Sequence, residues 1–378
     1  FMSFISFKAA LILGFGALQG IGGALLNVCG TALVVSALPP QERGKGIGIT
    51  VTGVYIGLSL APIIGGILNY NLGWRSIFYI VIPFLILLLY LIPKKIKSEW
   101  KVGENDPIDI PGSVIYSIAI ICAVYGFTII NTTLGLILTV IGLIGLIGFT
   151  AFELRQKYPI FELRLFKNHK FLSSNIASLI SYLATFVITF VINYHLQYIM
   201  GMNSQSAGFI LIITPVMMAV LAPFAGKLSD KINPQKLAAI GMGLVAIAIF
   251  ILVFITDTTP LYVIGFAMFL QGVGYGLFSS PNTNSIMSSV PRKQTPSASS
   301  AVATMRVIGQ TLSSGMLTVL FAIIMGSVPI IPKYYGLLMY SSKIACIISV
   351  ILCVIAVLTC LVGIHSKDKY NTEEDLTV

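Results

Sequence analysis

The sequence predicts an all-α polytopic membrane protein with eleven transmembrane helices. Three observations carry this. First, 56% of the 378 residues are hydrophobic and only 10% are charged, with a mean hydropathy of +0.94. A soluble domain carries about 25% charged residues, so this chain cannot coat a globule of its size with solvated side chains. Second, the apolar residues fall into unbroken runs of roughly 18 or more, the length an α-helix needs to cross hydrocarbon. Third, the basic residues sit between those runs and alternate from one side to the other. Disorder is excluded by the hydrophobicity, and a disulfide framework by five cysteines in so long a chain. A transmembrane barrel would need alternating segments of about ten residues, whereas these runs are longer and apolar all round.

In order, the spans are expected near 9–37, 45–69, 76–93, 110–130, 133–153, 171–199, 205–226, 236–256, 259–289, 297–326 and 339–364. Loop charge orients them. One set of alternate loops holds Arg43 and Lys45, then Lys94, Lys95, Lys97 and Lys101, then Arg155, Lys157, Arg164, Lys167 and Lys170. The same side holds Lys227, Lys231, Lys236, Arg292, Lys293, Lys367 and Lys369. The opposite side carries Lys8, Arg75, Lys333 and Lys343. Cytoplasmic loops collect Lys and Arg, so the first set and the C-terminus are read as cytoplasmic. The net charge of +10 is therefore assigned to membrane orientation and not to nucleic acid. The first run is too long for a secretory signal and lacks a cleavage site.

The chain contains a parallel repeat. Leu18–Pro39 and Leu270–Pro291 match at eight of 22 positions without a gap, at an offset of 252 residues. The shared Leu-Gln-Gly-x-Gly and terminal Pro are less easily produced by chance than apolar matches. Gly57 and Gly309 keep the same offset. Two parallel-repeated lobes around a midplane cavity form a transporter architecture. Three helices precede the second copy and none precedes the first, so three further helices are expected ahead of Phe1.

Within the second span, Gly53, Gly57, Ala61 and Gly65 recur every four residues and form one small-residue stripe. Such stripes let helix backbones approach closely. Pro62 removes a helix hydrogen bond, and Gly66 follows Gly65. The string Gly53–Leu68 is similar to the antiporter signature G-x-x-x-G-P-x-x-G-G of the major facilitator superfamily, with Ala61 at the central Gly. The chain resembles that superfamily's fourteen-helix branch, which exports drugs in exchange for protons. Further similarities are Gly73-Trp74-Arg75-Ser76-Ile77-Phe78 through Pro83, Asp109-Ile110-Pro111-Gly112, Phe161–Phe166, and the cytoplasmic loop Gly226-Lys227-Leu228-Ser229-Asp230-Lys231. In that loop Gly226, Asp230 and Lys231 match G-x-L-x-D-[RK], where an acid at a helix end and basic neighbours can latch helices together.

The resemblance implies a two-lobe helical bundle. Residues 1–93 would be the remainder of the N-terminal lobe, 94–153 a cytoplasmic linker with two inserted helices, 154–364 the C-terminal lobe, and 365–378 a cytoplasmic tail. It implies a monomeric exporter of amphipathic small molecules in the plasma membrane, working by alternating access with protons as the coupling partner. An exporter of one metabolite, an inactive fragment, and a polytopic receptor or scaffold without transport are the other readings.

Polar side chains at membrane depth are costly and are the candidates for function. Arg306 lies about 15 Å from the start of its span, by the rise per residue, and is expected to face a cavity and pair with a carboxylate. Gln19 and Asn27 share a face, and Gln271 is the repeat partner of Gln19. Asn193 and Gln197 are spaced i, i+4. Asn282 and Asn284 flank Pro281. His195 is expected at the outer interface, and Cys346, Cys353 and Cys360 as packing on one helix face. Two departures from the resemblance bear on coupling. Gly16 stands where the family's fourth helix usually has Arg, and all thirteen acidic residues fall in loops or at helix ends. There is no P-loop and no zinc-ligand spacing. An enzyme, a cofactor and a metal are therefore not expected.

Overall fold

The computed structural model describes residues 9–73, 75–95, 109–156, 159, 162–291, 294–326, 328 and 330–364. Lys8, Trp74, Lys97, Lys101, Lys157, Phe161, Arg292, Lys293, Lys367, Lys369 and the 365–378 tail lie outside these residues, as do the immediate surroundings of Pro62 and Gly66.

Twelve α-helices make eleven spans among the described residues. They are α1 (Ala9–Ala37), α2 (Arg43–Leu72), α3 (Ser76–Lys95), α4 (Ile110–Thr128), α5 (Thr133–Glu153), α6 (His169–Tyr194), α7 (Ser204–Leu211), α8 (Ile213–Ser229), α9 (Pro234–Val253), α10 (Leu261–Ser288), α11 (Thr295–Ile324) and α12 (Tyr335–Ile364). The expected 205–226 span is broken at Ile212 into α7 and α8. A π-turn, His195–Ile199, extends α6.

Short polar residues start these helices by accepting the first free N–H groups. Asp109 Oδ1 accepts from Gly112 at 2.9 Å, Thr132 Oγ1 from Gly135 at 3.0 Å, and Asn203 Oδ1 from Ser206 at 2.7 Å. Asn168 and Asn233 do the same for α6 and α9. Leu and Ile on α3 and α5 stay exposed, as at Leu89 and Ile147, which suits a lipid-facing surface.

Helices α6 to α12 form the larger packed group. Its core joins Ile188, Ile192, Met242, Ile249, Phe278, Cys346, Cys353 and Cys360. The three cysteines are buried packing, as their spacing implied. His195, at the end of α6 where the π-turn begins, is buried in the protein. Helices α1 to α3 meet this group mainly through α2 against α8 and α1 against α11. The α4–α5 hairpin docks on α11, where the Phe127 ring lies against Gly315 and Tyr116 Oη donates to Thr304 Oγ1 at 3.4 Å.

Candidate functional site

Between the two groups of helices lies a cavity of about 370 Å³, within the size range of small-molecule sites. Its walls come from four directions. Helix α2 contributes Tyr55 and Leu58, and α6 contributes Tyr182, Thr185, Phe186 and Thr189. The α7–α8 segment contributes Gly208, Leu211, Ile212, Thr214, Pro215 and Met218. Helices α10 and α11 add Met268, Gln271, Tyr275 and Gln310. Tyr182 and Tyr275 meet nearly edge to face, with ring centroids 5.9 Å apart. Such a pair leaves a ring face and a ring edge for a third aromatic group.

The cavity is closed on one side. Tyr55 Oη donates to Ser279 Oγ at 2.8 Å across the two helix groups. Beyond this contact, α2 and α8 touch backbone to backbone. A Cβ on Gly48 would lie 2.7 Å from the Ala222 carbonyl and 3.1 Å from Pro223 Cα. Asp230 then caps the start of α2. Its Oδ1 accepts from the Gly44 N–H at 2.7 Å and its Oδ2 from the Lys45 N–H at 2.9 Å. A carboxylate is favoured there by the positive end of the helix dipole. Asn284 holds the same corner, donating to Ser229 Oγ at 2.9 Å and to Asp230 Oδ1 at 3.4 Å. Burial pushes the Asp230 carboxyl above its usual range. The Lys45, Gly44 and Asn284 hydrogen bonds oppose that shift, and Glu42 adds to it.

A second tie joins α1 and α11. Arg306 Nη2 donates to Asn27 Oδ1 at 2.7 Å, and Ser299 Oγ donates to the Val28 carbonyl at 2.8 Å. Val35 is fully buried here among Ile286, Met287, Ala298 and Ala301. The expected carboxylate beside Arg306 is replaced, among the described residues, by the Asn27 amide oxygen.

The structure separates the remaining candidates. Gln271 lines the cavity; Gln19 lies on an exposed part of α1. Asn282 is 2% exposed and donates to the Ser174 carbonyl at 3.0 Å, tying α10 to α6 and not lining the cavity. Asn193 accepts from Gln197 Nε2 at 2.7 Å, away from the cavity wall. A Cβ added at Gly53, Gly57 or Gly65 would meet no described heavy atom within 4 Å, so the close approach expected of their stripe is not formed among the described residues. Lys231 is exposed, while Gly226, Ser229 and Asp230 of its loop enter the helix contact.

Sequence reasoning missed Tyr55, Tyr182, Tyr275 and Gln310. An aromatic residue in an apolar span looks the same whether it faces lipid or a cavity. Gln310, one turn after Arg306, was visible as an amide at membrane depth.

The comparisons agree with this architecture. The chain is 30% identical over 311 residues to the riboflavin transporter RibZ of Clostridioides difficile, covering 80% of this chain and 66% of RibZ. It is 26% identical over 309 residues to the multidrug resistance protein Stp of Mycobacterium tuberculosis, covering 79% of this chain and 56% of Stp. It is 26% identical over 321 residues to the multidrug efflux pump LfrA of Mycolicibacterium smegmatis, covering 83% of this chain and 63% of LfrA. The chain thus spans two thirds or less of the length of these relatives. The sequence profile of the Major Facilitator Superfamily matches residues 1–314, and the chain belongs to that superfamily.

Proposed function

We propose that this chain belongs to an exporter that moves amphipathic small molecules across the plasma membrane by alternating access. The observation that carries the reading is the cavity between two helix groups with one end sealed by contacts that cross between them. Tyr55–Ser279, Arg306–Asn27 and the Asp230 cap on α2 all bridge the groups. The first and last close the cavity toward the end that loop charge marks as cytoplasmic. Rocking of one group against the other breaks these ties and opens that end. Efflux relatives such as Stp and LfrA support drug-like substrates. RibZ supports an aromatic metabolite as a further substrate.

Proton exchange is the coupling we propose, on the resemblance to the fourteen-helix exporters. The test uses the full-length protein in everted membrane vesicles. A lipophilic fluorescent dye or riboflavin should accumulate in energised vesicles, and an uncoupler should abolish accumulation. Accumulation equal to that in vesicles lacking the protein would overturn the transport reading. Uncoupler-insensitive accumulation would overturn proton coupling alone.

A further inference from the structure

The break between α7 and α8 lies in the cavity wall. Gly208, Leu211, Ile212 and Pro215 all line the cavity, and their i, i+3, i+4, i+7 spacing puts them on one helix face. In an uninterrupted helix the N–H of residue 215 would bond the carbonyl of Leu211. Proline has no N–H, so the Leu211 carbonyl lacks that donor, and Leu211 and Pro215 both line the cavity. The neighbouring helix holds the break in place. Thr214 Oγ1 donates to the Met268 carbonyl at 3.0 Å, and a Cβ on Gly272 would lie 2.6 Å from the Thr214 carbonyl. The segment therefore cannot relax toward α10 to close the gap.

Two amides share this cavity. Gln271 is only 5% exposed, lines the cavity, and has no side-chain hydrogen bond to another described residue. Gln310 lines it too, half-buried and without a side-chain hydrogen bond to another described residue. Both side chains border the cavity with their amides uncommitted to another described residue, so a ligand that donates and accepts along one edge can bond them. Tyr182 and Tyr275 offer the apolar corner for the rest of such a ligand.

We propose that the cavity selects flat fused-ring heteroaromatic compounds carrying an amide or imide N–H at one edge. That N–H donates to the Leu211 carbonyl, Gln271 and Gln310 bond the flanking oxygens, and the rings lie against Tyr182 and Tyr275. This rests on the cavity being the transport site, and it names the chemistry that the site prefers.

The test is binding of two fluorescent probes, naphthalimide and N-methylnaphthalimide, to the full-length protein in nanodiscs. They share the ring system and the carbonyls and differ in the N–H. Naphthalimide should bind about five- to tenfold more tightly, the effect of one net hydrogen bond lost with its acceptor left bare. Pro215→Ala restores the helix donor to Leu211 and should bring the two affinities together. Tyr182→Leu should weaken both probes alike. Equal affinities in the unaltered protein, a preference that survives Pro215→Ala, or failure of both probes to bind would each overturn the selectivity. Dye accumulation in vesicles, measured on the same protein, separates these failures from failure of the transport reading.

Discussion

Gly48 offers the sharpest test of the closure between α2 and α8. A Cβ there meets only backbone: the Ala222 carbonyl at 2.7 Å, Pro223 Cα at 3.1 Å and Gly226 Cα at 3.3 Å. No side chain can rotate away, so Gly48→Ala has to push α8 off α2. Overpacking of this kind costs about 1–3 kcal/mol, and the whole cost falls on the closed arrangement. The closed-to-open ratio should drop by about five- to 150-fold. Spin labels at Gln41 and Lys231, both exposed at the closed end, report the separation by pulsed electron resonance. Gly48→Ala should move the distance distribution toward longer values. Gly243→Ala is the control, since Gly243 has no described atom within 4 Å of its added Cβ. An unchanged distribution for Gly48→Ala, or equal opening in the control, would refute the argument that backbone contact holds this end shut.

Other outcomes follow from the same contacts. Asp230 has its carboxyl pKa raised in the closed arrangement, so that state holds a proton more readily than one with Asp230 in water. Lowering the pH from neutral toward the raised value should shift the spin-label pair toward the closed distance. The gain is complete below the ordinary carboxyl range and lost as pH rises through the raised value; Asp230→Asn should flatten this profile. Arg306→Ala removes the bond to Asn27 and should abolish efflux while leaving membrane insertion intact, whereas Arg306→Lys should keep part of it; normal efflux in the Ala variant would reduce the bond to a structural tie. Single cysteines introduced between residues 162 and 168 in a cysteine-free background should resist impermeant thiol reagents in intact cells, and labelling from outside would reverse the orientation.

How much of this was legible in the sequence depends on which residues are asked about. The eleven spans were readable because crossing hydrocarbon demands a length and an apolarity that show along a single strand of text. The Gly226–Asp230 loop was readable as a latch, because an acid at a helix end has few other uses in a membrane protein. Its acceptor was not readable: Asp230 caps α2 some 186 positions earlier in the chain, and nothing at Gly44 announces that partner. Gly44 and Gly48 share the four-residue spacing of Gly53, Gly57 and Gly65, yet only the first pair meets a described backbone. The same split divides Gln271, which lines the cavity, from Asn282, which ties two helices.

By itself the sequence determined the number of spans, the family glycines and the list of polar groups at membrane depth, because each depends on local composition. The tertiary structure decided which of those groups face one another, which face the cavity, and that Tyr55, Tyr182 and Tyr275 belong beside Gln271. The reason is physical. In a soluble helix the polar face marks the outside, so rotation is written in the pattern. In hydrocarbon the outside is as apolar as the interior, and helices such as α1, α2 and α10 carry no outward polar face that marks their rotation. Their rotation is set by close contacts with neighbours, and those contacts exist only once the helices have packed.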